Sequence, residues 1–274
     1  MKRRPQRRSR TGKKRETVDV LISDWNDLSE AILFPKGTRW SVELQRYASP
    51  YVFRGLPSAD FDLSPSLMRF RGSLTKNGKI PIEKQLLKLF QKYAPSSVTL
   101  ELSAWNWVPL AQHHALPPRL LDWTFSPFVA LHFVTNLNLF DDKPGVVWCV
   151  DSFAAREHVP SPLRDVLEEE GTTTFTAEML DRAAPSLQHL EALSDKDFLL
   201  FFEPPSIDAR IVNQYALFSL MPRPAIRLDE WLKERPTLAR RIIIPAHLKI
   251  EIRDKLDQIN ITERMLFPGL DGLS

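Results

Sequence analysis

The chain has 274 residues, 43% of them hydrophobic and 10% aromatic, enough to bury one large core and inconsistent with a disordered or fibrous molecule. A lone cysteine, Cys149, excludes internal disulfides and cysteine-rich metal sites, and no apolar run suits a membrane span or secretory leader, so a cytoplasmic protein is expected. The net charge of +3 is unevenly placed: residues 1–16, MKRRPQRRSRTGKKRE, hold nine Lys/Arg and one acid, so the remainder is net acidic.

An arm of that composition cannot bury apolar surface and is expected to be disordered and solvated. It reads either as a solubilising extension or as a phosphate-contacting arm for nucleic acid or ribosomes, because Lys and Arg displace counterions from phosphates without needing a fold. One domain is expected to follow, over residues 17–274.

Alternation in TVDVLIS (17–23) predicts a first strand, and SDWNDLSEAIL (23–33) a helix capped by Ser23 or Asp24. PYVFRGL (50–56) reads as a short buried strand broken by Gly55. Ile82, Leu86, Leu89, Phe90 and Tyr93 recur with helical period, which makes PIEKQLLKLFQKYA (81–94) an amphipathic helix opened by Pro81. A second helix is expected over about 97–113. SPFVALHFVTNL (126–137), with Ser126 as cap and Pro127 in first position, is apolar nearly all round and reads as a buried helix. GVVWCVD (145–151) is a core strand, and the polar stretch 152–197 is expected to be an irregular or partly helical insertion. Strands are predicted in DFLLFFEPP (197–205), NQYALFSL (213–220) and RRIIIPA (240–246), then a helix in AHLKIEIRDKLDQI and a closing segment TERMLFPGLDGL. Strands without regular βαβ alternation favour an α+β fold over a doubly wound one.

Several site signatures are missing. There is no GxGxxG, P-loop, HExxH or paired CxxC, which removes the usual support for a Rossmann dinucleotide fold, an NTPase or a zinc hydrolase. His113 and His114 are adjacent and diverge by about 100° on a helix, so they do not chelate one metal. With Pro117 and Pro118 just beyond, they sit near a helix C-terminus, where imidazoles can donate to free carbonyls. Arg119 and Asp122 flank two buried leucines and are expected to lock their loop by mutual hydrogen bonding. Arg54 differs. It ends a core strand, where a guanidinium is costly to desolvate unless it meets an acid or an anionic ligand.

FRG at 53–55, LSPSLMR at 63–69, AQHHALPPRLLDWTFSPFVALHF at 111–133, RIVNQYALFSL at 210–220 and RMLFPGLDGL at the end together resemble the FRG domain, a bacterial and phage-borne family. FRG domains in turn resemble the ADP-ribosyltransferases in motif layout. That resemblance implies a split-sheet α+β core, NAD as substrate, and no metal. It implies that Arg54 of the Arg54-Gly55 pair meets the NAD phosphates and ribose, that Thr124 and Ser126 shape the nicotinamide pocket, with His113 facing the same cleft, and that Asn213-Gln214 reaches the transferring ribose. Arg54, Ser126 and Gln214 are thus the implied catalytic residues, with Trp123 and Tyr215 as rings to stack on nicotinamide.

The implied function is transfer of ADP-ribose to a macromolecular acceptor in a bacterial toxin or phage-defence system, with an antitoxin or operon partner and no membrane. The basic arm tilts the acceptor toward RNA, DNA or a ribosomal component. This chain departs from the family in three places: Gln214 stands where most active transferases carry glutamate, Pro118 where threonine is frequent, and Ala115 where glycine is common. The nearest acids in sequence to Gln214 are Glu203 and Asp208. Two alternatives remain open, a non-catalytic sensor or docking module that keeps the cleft, and a nucleic-acid-binding accessory protein that works through its arm.

Overall fold

The computed structural model describes residues 18–33, 39–41, 45–69, 79–94, 103–135, 142–204, 209–223, 225–269 and 272. The basic arm lies outside them, as do residues 95–102, where the second helix was expected to begin. Strand β1 (Val18–Leu21) leads into α1 (Trp25–Leu33), capped by Asp24, whose Oδ1 accepts from the amides of Asn26 and Asp27 at 2.8 and 3.0 Å. An antiparallel pair, β2 (Arg39–Ser41) and β3 (Arg46–Ala48), precedes β4 (Tyr51–Leu56). Next come α2 (Ser66–Arg69), α3 (Lys79–Tyr93), α4 (Ala104–His113), β5 (Leu121–Thr124), α5 (Pro127–Val134) and β6 (Gly145–Asp151).

The polar stretch that follows holds four short helices: α6 (Ser152–Arg156), α7 (Ser161–Glu169), α8 (Ala177–Ala183) and α9 (Leu187–Ala192). The chain closes with β7 (Leu200–Phe202), α10 (Ala209–Asn213), β8 (Ala216–Leu220), α11 (Leu228–Lys233), β9 (Ala239–Ile244), α12 (Lys249–Gln258) and α13 (Glu263–Leu266). Asn213 therefore ends α10 and Gln214 sits in the turn between α10 and β8, not in the strand where sequence placed them.

Seven strands form one open sheet in the order β1-β9-β6-β4-β5-β8-β7. Only β1 and β9 run parallel; every other pair is antiparallel, as expected of an α+β arrangement. Alternation along the strands sorts side chains onto two faces. Val52, Leu56, Leu121, Trp123, Val146, Trp148 and Val150 pack on one face beneath α11. The other face is split. Phe53, Val147, Cys149 and Ile242 pack against α1, α5 and α12, while Leu200, Phe202, Phe218 and Leu220 pack against α4 and α7–α9.

Between those two covered regions lies the junction of β4 and β5. It is thinly joined: β4 pairs with β6 at six positions but with β5 only at Phe53 opposite Thr124. Gly55 was expected to break β4, yet the strand runs through it in register with Val147. What Gly55 provides is room. A Cβ there would stand 1.8 Å from the Ala130 carbonyl oxygen, so α5 approaches β4 as closely as two backbones allow. Among the described residues no helix is long and apolar enough to cross a membrane.

Candidate functional site

A cavity of about 300 Å3 opens over the β4–β5 junction. Its floor is Phe53, Arg54 and Gly55 of β4, Asp122, Trp123 and Thr124 of β5, and Ala216 and Phe218 of β8. Its walls are Pro109, Gln112 and His113 of α4, Phe133 of α5, Arg210 and Ile211 of α10, and Gln214. Of the residues singled out from sequence, Arg54, Gly55, His113, Trp123, Thr124 and Gln214 thus border one space, while Ser126 and Tyr215 do not. The volume is at the lower end of the range for small-molecule sites, roughly 300–1,000 Å3.

Arg54 is the most informative of them. Its side chain is 18% exposed, NH1 donates to the Asp122 backbone carbonyl and lies 3.7 Å from Asp122 Oδ2, and its buried Nε has no hydrogen-bond partner. Burial pulls its pKa below the ordinary arginine value, Asp122 opposes that pull, and the positive charge of Arg69 adds to it. A buried N–H without an acceptor costs free energy.

Asp122 faces the cavity because it alternates with Leu121 and Trp123, which point to the opposite face. Gln112 Nε2 donates to its Oδ1 and joins α4 to β5. Trp123 touches the cavity only at the edge of its strand. Its ring packs edge-on against Phe201 at 5.6 Å in the core, and its indole N–H donates to Ser219 Oγ at 2.8 Å, so it is no stacking platform. Tyr215 is 59% exposed and lies outside the cavity, with a left-handed backbone at φ 48°. The aromatic side chains that border the space instead are Phe53, Phe133 and Phe218, none of them marked by sequence.

Thr124 and Ser126 hold the turn from β5 into α5. Thr124 Oγ1 donates to the Gln214 carbonyl at 2.7 Å and accepts from the Ser126 amide at 2.9 Å. Ser126 Oγ caps α5 by accepting from Val129 N, as its position before Pro127 predicts. Both hydroxyls are engaged in shaping the wall. Gln214 is held from behind: its Nε2 donates to the Leu266 carbonyl at 3.0 Å, and Asn213 Nδ2 to that of Met265 at 2.7 Å. The closing segment thus fixes the turn through α13. That helix is itself tied to α5, where buried His132 meets Glu263 Oε2 through Nε2 at 2.9 Å and takes Arg253 NH1 on Nδ1 at 2.7 Å. Burial, then Arg253, lowers the His132 pKa, in keeping with a neutral ring that accepts at Nδ1.

Arg119 and Asp122 do not pair as expected. Alternation and the bend before β5 send them apart: Arg119 is buried, donating to Glu83 through its backbone N and Nε at 3.1 and 2.7 Å and to the Pro222 carbonyl at 2.6 Å, with Glu191 2.8 Å from NH2. Burial opposes its charge, but Glu83 and Glu191 outweigh that and raise its pKa above the ordinary value. Of the acids near Gln214 in sequence, Glu203 accepts from Thr174 Oγ1 at 2.6 Å and does not border the cavity, and Asp208 lies outside the described residues. Asp122 is the carboxylate at the site. Cys149 is no nucleophile, since burial pushes its thiol pKa up to about 12. Among the described residues no group of three or more His, Cys, Asp or Glu is placed to hold a metal ion.

The fold and site define a mixed α/β protein with a cavity at a weak junction of its sheet. Residues 49–143 match the FRG domain family. That stretch carries β4, α4, β5 and α5, hence most of the cavity's floor and walls; α10, Gln214 and β8 come from beyond it. No curated protein and no solved structure matches the chain.

Proposed function

We propose that the cavity binds NAD and that the chain transfers ADP-ribose from it to a macromolecular acceptor. The observation that carries this reading is the largely buried Arg54 guanidinium, incompletely paired and belonging to a residue that borders the pocket. Planar donors of that kind suit paired phosphate oxygens. Arg54 grips the diphosphate, while Gly55 and His113 border the bound nucleotide. Phe133 takes the place of Trp123 and Tyr215 against the nicotinamide. Thr124 and Ser126 act through the β5–α5 turn, and Gln214 faces the transferring ribose.

The chemistry asked of such a site is to hold an oxocarbenium-like ribose while the C1′–N bond breaks and nicotinamide leaves with its electron pair. Stabilisation then comes from placement of the diphosphate and ribose, with the acceptor supplying the nucleophile. The basic run at residues 1–16 favours an acceptor with phosphates, a nucleic acid or ribosomal component, in a toxin or phage-defence setting inside the cell.

Incubation of the purified protein with labelled NAD and cell extract is expected to release nicotinamide and label a macromolecule. In Arg54→Ala, NAD affinity falls about 100-fold, as for loss of a charge-assisted bidentate contact, with little change in melting temperature. Folded wild type that neither binds NAD nor releases nicotinamide sinks the proposal. A second reading, a binding module without turnover, is favoured by Gln214, which brings an amide rather than a carboxylate to the wall and commits it to Leu266. Calorimetric NAD binding with no turnover, unchanged by Gln214→Glu, would select that reading.

A further inference from the structure

We propose that Asp122 is a specificity residue: a carboxylate that competes with simple anions for Arg54 and gives way only to ligands that offer it hydroxyl donors. This rests on the nucleotide reading above and deepens it. Among the described residues Asp122 is the single acid bordering the cavity, set against two arginines, Arg54 on the floor and Arg210 on the wall. Arg210 stacks over the Phe267 ring at 4.7 Å.

The carboxylate is only half used. Oδ1 accepts from Gln112, whereas Oδ2 stands 3.7 Å from Arg54 NH1, inside ion-pair reach but too far for a hydrogen bond. Asp122 is 62% exposed where Arg54 is 18% exposed, so the acid is hydrated while the guanidinium depends on what the cavity holds.

A bare phosphate or diphosphate approaching Arg54 comes up against Asp122 as a like charge with nothing to donate to it. A phosphorylated ribose is different. It presents an anion to the arginine and adjacent hydroxyls whose protons Oδ2 can accept, so the element that repels simple polyanions recognises the sugar. The cavity thereby selects ribose-bearing anions over the inorganic phosphates that outnumber them in a cell.

The test is calorimetry on the full chain at physiological salt with two probes, ADP-ribose and inorganic pyrophosphate, and Arg54→Ala as the reference for binding to the basic arm. Wild type is expected to prefer ADP-ribose at the Arg54-dependent site. In Asp122→Asn, which keeps the size of the side chain and an oxygen for Gln112, pyrophosphate binding tightens about tenfold and ADP-ribose binding weakens about tenfold. Asp122→Ala, the second variant, loses the same discrimination, and both keep the wild-type melting temperature because the side chain is exposed. If both probes shift in the same direction by a similar factor, or neither shifts, Asp122 is not the discriminator and the inference is overturned while NAD binding stands. If wild type binds neither probe through Arg54, the nucleotide reading itself fails.

Discussion

Arg119 and Arg54 are both withdrawn from water and both adjoin β5, yet they are completed in opposite ways. Arg119 is saturated: Glu83 takes its backbone N–H and Nε, Pro222 takes NH1, and Glu191 adds a second carboxylate. Arg54 gives NH1 to one carbonyl, stands loosely beside one exposed acid, and keeps a buried Nε with no acceptor, next to a cavity. On the reading proposed above, Arg119, whose partners all come from the chain, serves as a fastener, and Arg54, left incomplete beside a hollow, as a receptor. Arg119 lies three residues before Asp122 in the chain, and Arg54 reaches Asp122 across one strand junction.

The sharpest way to break that contrast is to remove Arg119. In Arg119→Ala the Glu83 carboxylate, only 5% exposed, is left buried without its counter-charge, and α3 loses its tie to the segment before β5. Breaking a buried pair by removing one partner costs about 3–5 kcal/mol, readable as a lower urea midpoint. Arg54→Ala is expected to behave in reverse, losing ligand and keeping stability. If Arg54→Ala unfolds the protein as readily as Arg119→Ala does, Arg54 is a second fastener and the cavity has no anion receptor.

Gly55 sharpens the same comparison, because it is the neighbour of Arg54 that lets α5 pack directly on β4. In Gly55→Ala the new methyl meets the Ala130 backbone oxygen, which no rotamer change can move aside. Either α5 lifts from β4 or the strand bends, at a cost of roughly 3 kcal/mol. Since α5 also brings Phe133 to the cavity wall, the surviving folded fraction is expected to bind NAD more weakly than its stability loss alone explains. A melting temperature equal to wild type would show that the two backbones are not in contact.

Much of the scaffold was legible in the sequence because local chemistry dictated it. Ser126-Pro127 announced the start of α5, GVVWCVD formed β6, and RRIIIPA formed β9, each by capping or apolar run. Arg54, Thr124 and Gln214, all singled out in the sequence, border one cavity, and Ser126 does not. What stayed hidden depended on contacts distant in the chain. The partners of Arg119 are 36 and 72 residues away, so proximity in sequence suggested Asp122 instead. Strand alternation in LDWT turns the Trp123 ring to the far face and leaves Asp122 on the cavity side, a pattern legible only once the strand's inner face is known. His132 lies in a helix that reads as apolar nearly all round; its partners Arg253 and Glu263 lie on α12 and α13, beyond any local pattern.

The smallest expected effect concerns the turn that delivers both arginines' surroundings. α4 ends in a Schellman motif: the Leu116 amide donates to the Ala111 carbonyl and the Ala115 amide to that of Gln112, both at 2.9 Å, with Ala115 in the left-handed region at φ 62°. A residue with a Cβ is strained there, and glycine is not, although glycine also loses more freedom on folding. The two effects leave Ala115→Gly more stable by roughly 0.5–1 kcal/mol, measured as a higher urea midpoint with unchanged slope. Because the turn's backbone bonds are retained, Gln112 and His113 stay on the cavity wall on one side of it and Arg119 stays in its buried cluster on the other. Ligand affinity is therefore expected to match wild type, which separates strain in the turn from the chemistry of the receptor it supports. A loss of stability in Ala115→Gly would mean that position 115 does not adopt the left-handed conformation, and that α4 enters the site along a different path.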